Sequence, residues 1–260
     1  MATYEMLYVG GATTLTGDDS DLETTIGTFT DTWNITYIDD NTTPPTLPGS
    51  YDVVLISETV TSNNTNVSGT YMQADIPVMN AEALSWDEGS EDYVSAQGIN
   101  VENDWEVIDA TAAAHPIIDN LGWADASQHN MLASGSGTGF QGALKTNFGS
   151  GIVQLMQPVS PTTYCNCFAI ETGATINTGT ATNRRAGFGS RSTQYSNFST
   201  DADALFESCL LWLVGALDGA TSVPGMYNGA TWDTGVAKRY NGATWDPVVL
   251  KRYSGTVWEG

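Results

Sequence analysis

Imidazole and thiol are scarce in this chain: two histidines, His115 and His129, and three cysteines, Cys165, Cys167 and Cys209, in 260 residues. Cys165 and Cys167 are two apart, a spacing that puts both on one face of a strand. Cys209 falls in an apolar helical stretch. An odd count and the lack of any zinc-type Cys/His spacing make all three read as unbridged, buried thiols packing as small hydrophobes. His115 stands before Pro116 in a turn and reads as a buried, hydrogen-bonded imidazole, with a ligand or catalytic role as the alternative. Ser57 and Glu58 follow a buried apolar run and are the residues that a divergent hydrolase would use. Asp18-Asp19-Ser20-Asp21 has the oxygen density of a calcium loop but lacks its glycine and its closing glutamate, so these acids read as helix capping. Gly135 to Gly139 lacks the Lys-Ser/Thr of a phosphate loop and reads as a plain loop. Phe188-Gly-Ser190 lacks the Gly-x-Ser-x-Gly of a nucleophile elbow. Catalytic residues, metal ligands and a cofactor are therefore not expected.

A second constellation lies at the C-terminal end. Tyr227-Asn-Gly-Ala-Thr-Trp232 recurs as Tyr240-Asn-Gly-Ala-Thr-Trp245 and again as Tyr253-Ser-Gly-Thr-Val-Trp258, so Tyr, Gly and Trp each return every 13 residues. Asn-Gly favours a type I′ turn, because both central residues need positive φ. Each unit then reads as one hairpin with Tyr and Trp facing across it. Isolated hairpins are marginal and need a surface to pack on. Tyr227, Trp232, Arg239, Tyr240, Trp245, Arg252, Tyr253 and Trp258 are accordingly the expected partner-binding residues, on a neighbouring subunit or, alternatively, on a sugar ring.

The elements that must carry these groups follow from the apolar pattern. Met6–Val9, Trp33–Ile38, Tyr51–Ile56 and Ile76–Met79 read as strands; the third is nearly all apolar, as a parallel strand covered on both faces should be. Helices are expected after Asp18, over residues 66–74 and from Glu82. Strand and helix alternating at this spacing predict βαβ units and a parallel sheet. The second half is richer in strands: Trp105–Ile108, Gly151–Met156, Cys165–Ile170 and Arg185–Phe188. Asp201 is expected to cap a last helix bearing Ala204, Leu205, Cys209, Trp212 and Leu213 on its apolar stripe. The chain divides on this reading into an α/β domain over 1–220, a linker over 221–225 and the hairpin repeats over 226–260.

Charge is uneven. Residues 1–144 hold 22 Asp and Glu with no Lys or Arg, while the remainder is balanced; the net formal charge is −22. Such a field repels nucleic acid and anionic membranes, so neither is expected as a partner. The run of apolar residues needed to cross a bilayer is absent, and the N-terminal Met-Ala-Thr-Tyr-Glu lacks a basic and apolar leader pattern.

Residues 4–217 carry a resemblance in order along the chain. Leu7-Tyr-Val-Gly10, Tyr51-Asp-Val-Val-Leu-Ile-Ser57, Ile76-Pro-Val-Met79, Ala114-His-Pro-Ile117 with Leu121-Gly122, and Arg184-Arg-Ala-Gly-Phe188 resemble a ThuA-like domain of the class I glutamine amidotransferase-like (flavodoxin-like) superfamily. The resemblance implies a largely parallel sheet flanked by helices. Active relatives place a nucleophilic Cys on a sharp strand-to-helix turn; neither Ser57-Glu58 nor Asn80-Ala81 supplies one, so the resemblance does not imply amidotransferase activity here. Lys-Arg-Tyr-Asn-Gly-Ala-Thr-Trp and its repeats resemble short repeats at the ends of bacteriophage virion proteins. Together these imply a non-enzymatic virion protein on the capsid surface, bound to the major capsid protein or other virion subunits and assembled with copies of itself. Tail-associated placement and carbohydrate binding are the alternatives.

Overall fold

The computed structural model of the chain describes residues 1–89, 92–96, 99–101, 105–109, 112–133 and 139–218, and the backbone of six short strands beyond them. The chain divides into two compact units, Met1–Ala216 and Leu217–Gly260.

In the first unit β1 (Thr3–Gly10), α1 (Asp18–Ile26), β2 (Thr32–Asp39), β3 (Val53–Ile56) and β4 (Val78–Asn80) come first. They are followed by β5 (Ile99–Val101), β6 (Trp105–Ile108), α2 (Pro116–Asp119), β7 (Gln128–Asn130), β8 (Phe140–Leu144) and β9 (Ile152–Pro158). The remainder is β10 (Tyr164–Cys165), β11 (Cys167–Ile170), β12 (Thr175–Ile176), β13 (Gly179–Thr180), β14 (Arg185–Phe188) and α3 (Thr200–Leu213). Nine strands form one sheet in the order β2-β1-β3-β4-β14-β11-β9-β6-β7. The first five are mutually parallel and the last four are added antiparallel. This is the expected α/β class with its mainly parallel centre flanked by helices.

The parallel half forms where apolar runs can be covered on both faces. All four residues of β3 are buried, as are Met6 to Val9 of β1. Farther along the sheet the Phe168 ring meets Trp86, Tyr93 and Phe148 edge-on, with centroids 4.8, 5.5 and 5.2 Å apart. Gly187 on the adjoining β14 lies against that ring, and a Cβ there would collide with it. Buried Arg185 reaches out of β14 and donates to the carbonyls of Met72 (3.1 Å), Ala74 (2.8 Å) and Ile76 (2.8 Å). It thereby ties down the segment leading into β4.

Several local expectations are corrected. The short helix expected over residues 66–74 forms as a π-helix, Val67–Tyr71. The segment from Glu82 makes only a 3-10 turn, Ala83–Ser85. Ser199, not Asp201, caps α3, accepting from the amides of Asp201 and Ala202. Cys165 and Cys167 do not share a strand. The chain breaks at Asn166, with a register shift in the β11–β9 ladder, and Cys165 pairs in a separate small sheet.

The second unit contains β15 (Met226–Tyr227), β16 (Trp232–Asp233), β17 (Lys238–Tyr240), β18 (Trp245–Pro247), β19 (Arg252–Tyr253) and β20 (Trp258–Glu259). They pair antiparallel in three hairpins, with Tyr227 opposite Trp232, Tyr240 opposite Trp245 and Tyr253 opposite Trp258. The Asn-Gly turns, the Gly135–Thr138 loop and the linker lie outside the described residues.

Candidate functional site

In an open α/β sheet the crevice lies beyond the carboxyl ends of the strands, where the strand order reverses. Here that place is between β1 and β3, because the chain moves from β1 out to β2 and then back across to β3. Asp19 fills it. Helix α1 starts after Gly17 with no side-chain cap, and its first turn carries Asp18, Asp19 and Asp21. Asp19 therefore does not act as a cap. Its side chain turns inward, 1% exposed. It accepts from Ser57 Oγ at 2.6 Å, Tyr8 Oη at 2.8 Å, Thr59 Oγ1 at 2.9 Å and Tyr37 Oη at 3.1 Å. Gly10 makes this approach possible, since a Cβ there would overlap Asp19 Oδ2 and the Tyr37 hydroxyl. Burial beside this carboxylate pushes the Tyr37 hydroxyl up to about 12 and the Tyr8 hydroxyl well above its ordinary value.

A second layer closes over the first. The 3-10 segment Ser192–Asn197 brings Tyr195 onto the end of β3. Its hydroxyl accepts from the Glu58 amide at 3.1 Å and lies 3.5 Å from Ser57 Oγ. Ser57 is 0% and Tyr195 1% exposed. Glu58 points the other way, accepting from Gln141 Nε2 at 3.0 Å and from the Ser192 amide at 2.9 Å. Beyond it Glu82, at the end of β4, is 3% exposed and accepts from the Leu84 amide at 2.7 Å. Burial, with the charge of Glu58 adding to it, raises the Glu82 carboxyl from 4.5 to about 8, so it holds its proton at neutral pH.

The arrangement is a web of hydroxyls and carboxyls that satisfy one another. The partners of Ser57 Oγ are a carboxylate, the hydroxyls of Tyr195 and Thr59 and the Thr59 amide, and none is an imidazole. The sulfurs lie elsewhere. Cys165 Sγ donates to the Cys167 carbonyl at 3.1 Å, and Cys167 Sγ is 3.9 Å from Cys209 Sγ where β11 meets α3. His115 is the cap of α2, its Nδ1 accepting from the Ile117 amide at 3.3 Å. Its Nε2 is buried without a partner, so the expected satisfaction is half met. Burial, aided by Arg184, lowers His115 from 6.5 to about 4 and keeps it neutral. Among the described residues no cluster of three ligating side chains suits a metal, and no helix is long and apolar enough to cross a membrane.

Composition and spacing did not single out Asp19 or Tyr195 as members of this web. Asp19 looks like any of three acids at a helix start, and Tyr195 sits more than a hundred residues from its partners. Of the eight residues expected to bind a partner, Tyr227, Trp232, Tyr240, Trp245, Tyr253 and Trp258 stand as three cross-strand pairs, while Arg239 and Arg252 lie on β17 and β19.

No family model and no curated protein matches the chain. Among solved structures, a ThuA-like protein from Parabacteroides merdae ATCC 43184 is similar over 82% of this chain and 91% of its own, at 12% identity and a TM-score of 0.51. A glutamine amidotransferase from Thermotoga maritima aligns over 81% of this chain and 98% of its own, at 9% identity and a TM-score of 0.45. The chain thus shares the fold of that ThuA-like protein over 82% of its length, and the likeness is one of fold.

Proposed function

We propose that this protein is a structural subunit of a bacteriophage virion that decorates the capsid surface by binding the major capsid lattice. The observation that carries the reading is the closure of the switch-point crevice by the protein's own side chains. With Tyr195 seated over Ser57 and Asp19 occupied by four hydroxyls, the polar groups at that point are spent on one another, and the reading rests on the outer surface instead. Two features of the sequence agree. The 22 acids before residue 145 keep a densely displayed subunit soluble, and the tail sets Lys238, Arg239, Lys251 and Arg252 beside its repeated aromatics. A subunit that binds only the assembled shell stabilises it in proportion to occupancy.

The test is co-sedimentation of the full chain, and of a chain ending at Ala220, with shells of the phage whose genome encodes it. The proposal expects the full chain to saturate the shells and the shortened chain to bind weakly or not at all. Equal occupancy by both removes the role of the tail, and no binding by either removes the proposal. Binding to a glycan array that disappears in the Trp232/Trp245/Trp258 triple alanine variant, without binding to shells, would replace it by the carbohydrate-binding reading.

A further inference from the structure

His129 is engaged at both ring nitrogens, far from the crevice. Its Nε2 lies 2.9 Å from Ser127 Oγ, and its Nδ1 lies 3.2 Å from Asp201 Oδ2. His129 lies on β7 and Ser127 directly precedes that strand, and the 2.9 Å contact shows that their side chains meet. Asp201 comes from the first turn of α3. β7 ends the nine-stranded sheet on the side away from β1 and β3. The imidazole is stacked on Trp123, with centroids 3.7 Å apart and 19° between the planes, which fixes its orientation. The site is open nonetheless, since the Asp201 side chain is 41% exposed and that of His129 14%.

The backbone before Ser127 is unusual as well. Ala126 is the non-glycine residue with positive φ, 59°, among the described residues. Such a conformation persists only where its surroundings enforce it, and it concentrates at functional sites. Here the Ala126 amide donates to the Ile108 carbonyl at 3.1 Å, the Ser127 amide to the Ala124 carbonyl at 3.0 Å and the Ala113 amide to Asp125 Oδ1 at 2.8 Å. Ser127 Oγ also donates to the Ala124 carbonyl at 2.6 Å. The hydroxyl proton is held by that carbonyl, and Nε2 at 2.9 Å is the second acceptor to which it can turn.

We infer that Ser127, His129 and Asp201 form a nucleophilic relay that hydrolyses small acyl esters. The order hydroxyl, imidazole, carboxylate is what an activated serine requires. Ser127 Oγ attacks the ester carbonyl carbon as its proton passes to His129 Nε2. The C–O bond to the alcohol breaks, and the leaving oxygen takes that proton from Nε2. Water then attacks the acyl-serine, giving a proton to Nε2; the carboxylic acid leaves and Ser127 Oγ recovers the proton. Asp201 is a positioning residue that holds Nδ1–H and so presents Nε2 to Ser127. The exposure of Asp201 and the place of β7 at the sheet edge suit a small acyl group on an alcohol of any size. This inference is independent of the particle-binding proposal and departs from the non-enzymatic expectation.

The experiment treats the full chain with a fluorophosphonate probe, maps the adduct by peptide mass spectrometry and follows p-nitrophenyl acetate hydrolysis. The expected results are an adduct on Ser127 and turnover that falls about 100-fold in both Ser127→Ala and His129→Gln. Asp201→Asn is expected to lower kcat about 10-fold or more with KM unchanged while keeping the circular dichroism spectrum and melting temperature of the parent, which a loss of fold would change. Ser127→Cys, close in size, is expected to be alkylated by iodoacetamide faster than the same cysteine in a His129→Gln background. No Ser127 adduct on the folded protein, hydrolysis indifferent to Ser127→Ala, or equal alkylation in the two cysteine variants would each overturn the inference. None of these outcomes bears on shell binding, which has its own test.

Discussion

The Ser57 hydroxyl donates to Asp19 Oδ1 across 2.6 Å and so joins the end of β3 to the first turn of α1. Three more hydroxyls, from Tyr8, Tyr37 and Thr59, converge on the same carboxylate. A buried carboxylate is tolerated because its lone pairs are filled, and the donors in turn depend on it.

Asp19→Asn keeps the shape and removes that dependence, because an amide has one acceptor oxygen and turns N–H groups toward hydroxyls that must donate. The expected loss is about 3 kcal/mol, the scale of hydrogen bonds to a charged group left unmade. Urea unfolding at neutral pH measures it. A change within about 0.5 kcal/mol would mean that the Asp19 carboxylate is not what holds the web together.

Glu82 and His115 predict opposite limbs of the pH–stability curve. The folded Glu82 carboxyl titrates at about 8 against 4.5 for the ordinary group, so the folded state binds more protons across that window. Stability therefore falls as pH rises through it. His115 titrates at about 4 against 6.5, so the unfolded state binds more protons there and stability is lost as pH falls through that window. Glu82→Gln should flatten the alkaline limb and leave the acid one, as read by denaturant midpoints across the range. An unchanged alkaline limb would show that Glu82 is not the group responsible.

Arg185→Met should destabilise by about 3 kcal/mol or more. It takes the guanidinium donors from the carbonyls of Met72, Ala74 and Ile76, of which Ala74 keeps only the longer bond from Thr182 Oγ1. Arg185→Lys should recover only part of this, since an ammonium cannot reproduce the planar fork. Thermal melts of the two variants decide it, and equal melting temperatures would rule out a geometric role for the fork.

Gly187→Ala tests the packing of β14 on β11. The added methyl meets the Phe168 ring, which is itself wedged among Trp86, Tyr93 and Phe148 and has little freedom to retreat. A loss of about 2 kcal/mol is expected. Pairing the change with Phe168→Leu should restore part of it in a double-mutant cycle, and strict additivity would place the strain elsewhere.

Much of the scaffold was legible beforehand. Met6–Val9 and Val53–Ile56 are apolar runs too short for core helices and too continuous for one-sided strands, and they became buried parallel strands. The three hairpins followed from a 13-residue repeat whose Tyr and Trp positions do pair. The failures were local and share a cause. The segment after Glu82 has helical patterning, yet it stops at a single 3-10 turn. The capping oxygen of α3 came from Ser199 although the neighbouring acid has equal propensity. Neither outcome is set by propensities that differ by tenths of a kcal/mol, so packing decides.

By itself the sequence determined the class of fold, the repeated hairpins and the division of charge between the acidic first part and the balanced remainder, because these rest on periodicity and counting. Only the tertiary structure decided that Asp19 turns inward, that Tyr195 covers Ser57 and that His129 stands between Ser127 and Asp201. Each of those is a meeting of side chains separated by up to about 140 residues along the chain. Hydrogen bonds act over about 3 Å, and no local pattern records which distant groups folding will bring within that reach.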